Sequence, residues 1–487
     1  MEKLLLFLKK QLTDFDDAAF IRLLRIFVAF SFLILIYAFV FSGFQVVDEF
    51  EHLHASWLVS TGKIPYLDFF EHHHPLLWYL SAPIVRLFYD NVIIFYVMRA
   101  FSSLVSLLTI WYMYKVVLFF SDKKGAWFAV AFYLGDIITF YNFYQFRPDN
   151  FMNLCFIAGV YYWFKALKDD RLLYLTCSFL WFTFSVLFLQ KISLLLIFLE
   201  VIIIGLIILK KMKLKNVTIA ALPSVVVFSI FLFWLYHNNS LPMYFELNYH
   251  FNQALIYYFD RGSFWYSTIL ITIYPLSLII VLYFFKKENL YFKLVGLLFL
   301  AEFIMRCYYF APHPNYYTLL TILSAMALGI LPQRVMPKHK FLTALIIIAL
   351  FINLGRLFNV LDNSITRHNS YHQYKLAQYV HQNSDSNDLL MNGYDMNFNI
   401  YRQDVSYYWF GLDMLLPVME TEYAMTQKPD INAMLIQYRP KFIYVRDYID
   451  LRAYRSYGEK RYAQQFIPEI VQALYQVTPF KYLAELK

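Results

Sequence analysis

The sequence contains little charge. Only 16% of its 487 residues are Asp, Glu, Lys or Arg, whereas soluble globular proteins carry about a quarter. Hydrophobic residues make up 60%, and the mean hydropathy is +0.48. These values exclude an ordinary soluble protein and indicate an integral membrane protein. The net charge of +8 does not indicate nucleic-acid binding, because the position of the charges matters more than their sum. We expect no nucleic-acid partner.

Several motifs and residue types are also missing or scarce. No GxxxxGK[ST] or GxGxxG segment supports a nucleotide site, and no GxSxG segment presents a nucleophilic serine. The three cysteines, Cys155, Cys177 and Cys307, lie in apolar runs, so we expect packed thiols rather than disulfides or metal ligands.

Long apolar runs are abundant. A helix needs about 20 apolar residues to cross about 30 Å of hydrocarbon. The runs of about this length are 23–42, 92–114, 125–143, 150–166, 172–189, 192–209, 217–236, 264–285, 290–309, 316–332 and 340–358. The first is too long for a cleaved signal peptide and predicts a permanent anchor. The sequence therefore predicts an α-helical polytopic membrane protein with about 11 transmembrane helices in a domain over residues 1–359.

The charge of the loops supports this number. If the amino end is cytoplasmic, Lys and Arg concentrate in the loops on its side, and the opposite loops hold only Lys63, Arg86, Arg147, Lys191 and Arg261. This positive-inside pattern is typical of a multi-pass protein of the cytoplasmic (inner) cell membrane. A twelfth span at 76–89 would destroy it. We therefore expect an interfacial or re-entrant helix there, within an outer loop at 43–91.

Residues 360–487 are more polar and contain no run long enough to span a membrane. Residues 371–383 are predicted to be helical, and Phe442-Ile443-Tyr444-Val445 has the composition of a strand. We expect a small C-terminal α/β domain, which eleven spans place on the extracytoplasmic side.

Ionisable residues recur on that outer side. They are Asp48, Glu49, the Glu71-His72-His73-His74 segment, Arg147, Asp149, Lys191, Asp260, Arg261 and His313. Because ionisable groups at membrane depth are costly, their common side predicts a shared polar cavity.

Each of these groups has a functional and a structural interpretation. Asp48 beside Glu49 can act as a general base, or both acids can simply begin a helix. The planar guanidinium of Arg147 can donate two hydrogen bonds to a phosphate, with Asp149 orienting the guanidinium. Alternatively, the segment is a helix start capped by Asp149 or Asn150. Lys191 and His313 are either phosphate-binding residues or interfacial ones.

The histidines raise the question of a metal. Five of the twelve lie at 52, 54 and 72–74, but no HExxH spacing occurs, and neighbouring His73 and His74 rarely bind one ion. We therefore expect no required metal or other cofactor, with a divalent metal as the alternative. Glu71, His72, His74, Asp149 and Tyr316 are then candidate acceptor-binding or auxiliary residues.

The arrangement resembles the GT-C superfamily of polytopic glycosyltransferases, particularly its protein-mannosyltransferase and aminoarabinose-transferase branch. The resemblance covers about residues 20–330. It rests on the following segments: Asp48-Glu49 after the first span, 62–66 and 68–75 before an apolar helix, Arg147-Pro148-Asp149, Gln190-Lys191, and His313-Pro314-Asn315-Tyr316-Tyr317 before a late span.

This resemblance implies sugar transfer, with inversion, from a polyprenyl-phosphate donor in the membrane lipid to an extracytoplasmic acceptor, which is a lipid, a glycan or a protein. Asp48 would be the catalytic base, supported by Glu49, and Arg147, Lys191 and His313 would hold the donor phosphate. The loop 43–91 would contain amphipathic helices lying on the membrane. The pattern does not require the histidines at 72–74.

Two alternatives remain. A transporter or flippase of lipid-linked saccharides would place polar residues near the bilayer midplane and would often show repeated halves, neither of which the sequence contains. A glycan polymerase or ligase would carry a large late outer loop rich in Arg and His, whereas residues 237–263 contain a single arginine.

Overall fold

The computed structural model describes residues 17–43, 48–253, 274–308, 314–335, 340–367, 369–392, 400–407, 430–444, 468–480 and 483–487. Its helices, numbered in chain order, are α1 Asp17–Phe41, α2 Asp48–Ser60, α3 Leu76–Leu87, α4 Ile94–Val117, α5 Lys123–Leu134, α6 Ile137–Asn142, α7 Pro148–Asp169, α8 Leu172–Phe188, α9 Ser193–Ile208, α10 Leu214–His237, α11 Leu241–Phe245, α12 Tyr274–Phe284, α13 Leu290–Tyr308, α14 Thr318–Leu328, α15 Leu331–Arg334, α16 Lys340–Arg367, α17 Ser370–Gln382, α18 Ile431–Tyr438 and α19 Pro468–Leu474. Its strands are β1 Leu389–Asn392, β2 Gln403–Asp404, β3 Phe442–Tyr444, β4 Tyr475–Val477 and β5 Leu483–Leu486.

Apolar helices make up most of the described part of the chain, and most of them overlap the predicted spans. Among the residues that the structure describes, four stretches are long and apolar enough to cross a membrane: α1, α4, Gln190–Ile208 with α9, and α10. The chain is therefore a mostly helical, multi-pass membrane protein. The number of eleven spans stays a prediction, and the first half of the predicted span 264–285 lies outside the described residues.

The predicted span 125–143 is interrupted. Helix α5 ends at Leu134 and α6 begins at Ile137. The side chain of Asp136 accepts a hydrogen bond of 2.9 Å from the backbone N–H of Ile138 and so caps the second helix. An Asp at this position favours a new helix start over continuation of the previous helix.

The chain divides into two compact units. The first comprises Met1–Ser42, Arg99–Ile230 and Asp260–Arg367, and the second Gly43–Met98, Phe231–Phe259 and His368–Lys487. The second unit therefore joins the first outer loop to the carboxyl-terminal part of the chain. A domain boundary between residues 359 and 360 stays a prediction.

A helical hairpin in the first unit consists of α7 and α8. Ser178 and Ser185 of α8 donate hydrogen bonds of 2.9 and 3.0 Å to the carbonyls of Gly159 and Met152 on α7. A Cβ atom at Gly159 would lie 2.5 Å from the ring of Phe182, so a larger residue there would force the ring to move. The start of α7 and the end of α8 therefore lie at the same end of the hairpin.

The second unit begins with α2, which is almost completely enclosed. All residues from Glu49 to Val59 are buried, and the expectation that this loop contains helices lying on the membrane stays a prediction. The chain leaves α2 through Gly62 at φ +92°. The Gly62 N–H bonds to the Val59 carbonyl and the Lys63 N–H to the Leu58 carbonyl, which is the Schellman arrangement that favours glycine. Helix α3 has 12 residues, too few to cross a bilayer.

A small mixed sheet with the strand order β2-β1-β3-β5-β4 lies in the carboxyl-terminal part. Strand β1 pairs in parallel with β2 and β3, while β5 runs antiparallel to β3 and β4. Its faces cover two apolar clusters, because alternate residues such as Phe442 and Ile443 point to opposite sides. The predicted strand at 442 and the predicted helix at 371–383 are both confirmed, as β3 and α17.

Candidate active site

The second unit holds the first group of ionisable side chains, which we call the acidic–histidine loop and define as residues 48–54 and 71–74. Asp48 is the first residue of α2 and is partly exposed, whereas Glu49 is only 3% exposed. Three acids, Asp48, Glu49 and Glu51, occupy the first turn, where the helix dipole favours negative charge. The structural interpretation of these acids therefore holds, and the role of Asp48 as a general base stays a prediction.

Two carboxyl groups and a histidine meet inside the loop. Glu51 and Glu71 are fully buried, and His73 Nδ1 lies 3.3 Å from Glu51 Oε1 and 3.4 Å from Glu71 Oε2. Burial, followed by the charge of Glu51, raises the pKa of Glu71 well above its ordinary value. Burial and mutual repulsion therefore favour a state in which one of the two carboxyl groups keeps its proton.

The other histidines of the loop have well-defined neighbours. His72 Nδ1 lies 2.8 Å from the Asn252 side-chain oxygen, while the Asn252 amide nitrogen donates to the His72 carbonyl. Burial and the neighbouring His73 lower the pKa of His72 to about 4. His74 Nε2 lies 2.8 Å from the Tyr244 hydroxyl. These contacts hold residues 72–74 in place, and their proposed role in acceptor binding stays a prediction.

The first unit holds a second group, the cationic cluster, defined as Arg147, Asp149, Lys191, Glu302 and Arg306. Arg147 is extended and precedes Pro148, as expected for a residue before proline. Its Nε lies 3.3 Å from Asp149 Oδ2, and Lys191 Nζ donates to Asp149 Oδ1. The hairpin thus brings the residue before α7 and the turn after α8 to one carboxylate.

The capping interpretation of this segment does not fit the structure. Arg147, the residue before α7, makes no side-chain capping hydrogen bond, and Asp149 binds the two cations instead. The side chain of Asn150 donates to the carbonyls of Asn142 and Gln145 at 2.7 and 2.9 Å. The Asn150 side chain therefore stabilises the turn before α7 and does not act as the cap of its first N–H groups.

Arg306 is a member of this cluster that the sequence analysis missed. It is 2% exposed, lies near the end of α13, and donates to Glu302 one turn earlier. The charges of Arg306 and Arg147 both act on the Lys191 ammonium. The sequence alone could have indicated Arg306, because Glu302 and Arg306 are an i,i+4 pair of opposite charge inside an apolar run.

Tyr316 is the remaining predicted residue in this unit. Lys191 Nζ lies 4.4 Å from the centre of its ring, within the range of a cation–π contact. His313, Asp260 and Arg261 lie outside the described residues, so their proposed roles stay predictions.

Comparisons with known proteins agree with this architecture. Residues 72–237, less than half of the chain, match the family model described as dolichyl-phosphate-mannose-protein mannosyltransferase. The chain is similar to ArnT from Cupriavidus metallidurans bound to undecaprenyl phosphate, with a TM-score of 0.57 and 12% identity over 77% of this chain and 84% of that one. No curated protein sequence matches the chain.

The chain is also similar to oligosaccharyltransferases of Archaeoglobus fulgidus. The structure tethered with an acceptor peptide containing the NVT sequon has a TM-score of 0.56 and 11% identity, over 95% of this chain and 72% of that one. AglB in complex with an inhibitory peptide and a dolichol-phosphate has a TM-score of 0.55 and 10% identity, over 97% and 75%. The resemblance inferred from the sequence is confirmed, since the chain has the fold of the GT-C glycosyltransferases.

Proposed function

We propose that the chain is an inverting glycosyltransferase that moves a sugar from a polyprenyl-phosphate donor to an acceptor on the extracytoplasmic face of the cell membrane. The cationic cluster carries this proposal. Among the described residues it contains three cations and two carboxylates, all buried or nearly so. An excess of buried positive charge is costly unless an anion compensates it. The phosphate of a membrane lipid has the required charge.

On the donor side, the phosphate leaves as the bond between its oxygen and the sugar C1 breaks. It gains negative charge in the transition state, where fixed cations have their largest effect. Asp149 holds the Arg147 and Lys191 side chains in position before the reaction, so these two cations need to move little when the phosphate leaves. We assign the phosphate to these two cations, with Arg306 adding to the positive field.

On the acceptor side, we assign Asp48 as the general base. The acceptor nucleophile attacks C1 as the phosphate leaves, and its proton passes to the Asp48 carboxylate. Asp48 is suited to this role because it is partly exposed and thus accessible, while buried Glu49 supports the start of α2. Attack opposite the leaving phosphate gives inversion at C1.

The relatives support this assignment through their lipids. The ArnT structure contains undecaprenyl phosphate and the AglB complex contains a dolichol-phosphate. The matching family model describes transfer from a dolichyl-phosphate sugar. A donor of the polyprenyl-phosphate class is therefore the proposal to test first.

The test is mass analysis of envelope glycans and lipids in a strain that lacks the gene, together with transfer by the purified protein in lipid. We expect one sugar modification to be lost in the strain. We also expect the purified protein to release polyprenyl phosphate as the acceptor gains the sugar. Unchanged envelope components would contradict the proposed transfer. An intact lipid-linked saccharide retained on the cytoplasmic side would favour a transporter instead.

A further inference from the structure

The middle of α9 carries an acidic residue that glycosyl transfer does not use. Helix α9 belongs to the stretch Gln190–Ile208, which is long and apolar enough to cross a membrane. Glu200 lies near the centre of this helix, about 10–12 Å from either end. Its side chain is exposed on the surface of the first unit. An ionisable side chain at this depth is costly and indicates a functional contact.

Glu200 lines an open groove between α8, α9 and α10. The groove has a volume of about 610 Å³, and all of its lining residues belong to the first unit. Helix α10 forms the more open wall, because only 6% of its apolar window is buried, compared with 33% for the stretch that contains α9. The walls are mostly apolar, and the polar lining residues are Thr183, Ser193, Glu200 and Ser224.

Two of these polar groups have no partner in the described part of the chain. No described residue forms a hydrogen bond or an ion pair with the Glu200 carboxylate. The Ser224 hydroxyl is buried and makes no hydrogen bond, whereas Thr183 donates to the Phe179 carbonyl at 3.0 Å. Glu200 and Ser224 lie at similar depths, about 12 and 15 Å from the turn that joins α9 to α10. The described chain therefore leaves polar groups unsatisfied near the middle of an apolar groove.

The depth of Glu200 selects the kind of occupant. Lipid chains, including the polyprenyl chain of a donor, offer only hydrocarbon there and neutralise no charge. Lipid headgroups lie at the membrane surface, about 15 Å from the midplane. The same groove of a second copy would bring another carboxylate. A Lys or Arg in the middle of a membrane-spanning helix supplies positive charge at this depth, and ionisable residues inside membranes pair with one another.

We propose that the groove between α8, α9 and α10 binds a transmembrane helix of a partner protein, and that a Lys or Arg near the middle of this helix pairs with Glu200. The apolar walls pack against the other side chains of the partner helix. Helices in membranes associate through this combination of close packing and polar contacts. The proposal goes beyond the proposed transferase activity and does not depend on it.

The first test measures association of the full-length protein with synthetic single-span peptides in phosphatidylcholine vesicles. The peptides are polyleucine helices that are identical except for Lys or Leu at the central position. Energy transfer between labelled peptide and labelled protein reports binding. We expect the Lys peptide to associate about tenfold more strongly than the Leu peptide, in the range of polar contacts between model transmembrane helices. Equal association of the two peptides overturns the proposal.

Variants show where the peptide binds. Glu200→Leu removes the charge and keeps α9 apolar, so the variant should insert into the membrane and lose the preference for Lys. Val201→Leu is the matched control, because Val201 is 59% exposed, neighbours Glu200 and does not line the groove. Glu200→Lys should instead prefer a peptide with a central Glu. A preference for Lys that survives in Glu200→Leu places the peptide elsewhere and overturns the assignment.

A photoreactive amino acid at Val225, which lines the groove on α10, identifies the occupant in the native membrane. We expect a cross-link to a transmembrane segment of another protein that carries Lys or Arg near its centre. This cross-link should disappear when Glu200 is also replaced by Leu. Cross-links only to lipids, to a polyprenyl chain or to a second copy of this chain would identify another occupant and overturn the proposal. None of these outcomes depends on the sugar, the donor or the acceptor.

Discussion

Lys191 and Asp149 form an ion pair between the turn after α8 and the first turn of α7, and Arg147 binds the other oxygen of the same carboxylate. One acid thus fixes two cations whose positions along the chain differ by 44 residues. In the proposed reaction this acid arranges the positive charge but does not contact the sugar.

Lys191→Met should lower the rate of sugar transfer about 100-fold or more, because removal of one group that stabilises transition-state charge has an effect of that order. The loss should appear in the dependence on donor rather than on acceptor. Steady-state kinetics with varied polyprenyl-phosphate sugar measure it. Lys213→Met is the control, since Lys213 forms an exposed ion pair with Asp170 and such pairs contribute little. Equal kinetics for both variants would remove Lys191 from the donor site.

Asp48→Asn should reduce transfer about 100- to 10,000-fold, the usual contribution of a general base, while the protein stays folded and membrane-inserted. The matched control is Asp68→Asn in the same outer loop. Asp68 is exposed and accepts the Ile64 N–H at 2.7 Å, a bond that Asn can also accept. Transfer assays with purified variants decide the matter. Full activity of Asp48→Asn would contradict its role as base.

The stability of the second unit should depend on pH through Asp90. Burial raises the pKa of Asp90, but its bonds with His381 and Arg402 outweigh burial and lower that pKa to about 2. A carboxyl whose pKa is lower in the folded chain stabilises the fold above its ordinary pKa of about 3.9, and this contribution disappears as the pH falls toward 2. Thermal unfolding between about pH 4 and pH 2 should therefore show a larger loss for wild type than for Asp90→Asn. Parallel curves would show that Asp90 does not contribute.

Gly62→Ala should lower the free energy of unfolding by about 1–2 kcal/mol, because a side chain at positive φ is strained even where there is space for it. No atom lies within 4 Å of the position of the added Cβ, so the cost is conformational. Gly205→Ala is the matched control, since Gly205 lies inside α9 and also has open space around it. That change should be neutral or stabilising by up to about 1 kcal/mol. Unfolding of both variants in detergent is compared, and a stable Gly62→Ala protein would contradict the argument.

The sequence predicted the helices well because an apolar run of sufficient length has few alternatives in a membrane. It did not predict the end of α5, since one polar residue, Asp136, decides that break through a capping bond. The apolar pattern of β3 predicted a strand. Its partners β1 and β5 come from distant segments, so no local pattern in the sequence predicts their pairing.

The candidate site was predicted in part. Charge and position singled out Asp149 and Lys191, and the structure joins them. Glu51 and Glu71 are separated by a helix and a turn, so their contact depends on the folded loop and has no periodic signal. Arg306 could have been found, because a charged pair in an apolar run is unusual enough to indicate a function.

The contact between Gly159 and Phe182 gives the hairpin a mechanical role. Gly159 lies ten residues from Asp149 on α7, which is about 15 Å along a helix. A side chain at 159 would displace the Phe182 ring or the helix that carries it, and Lys191 lies three residues after the end of that helix. We therefore expect a methyl group added at this contact to disturb the pairing of Lys191 with Asp149, and with it the proposed phosphate site, without touching either residue.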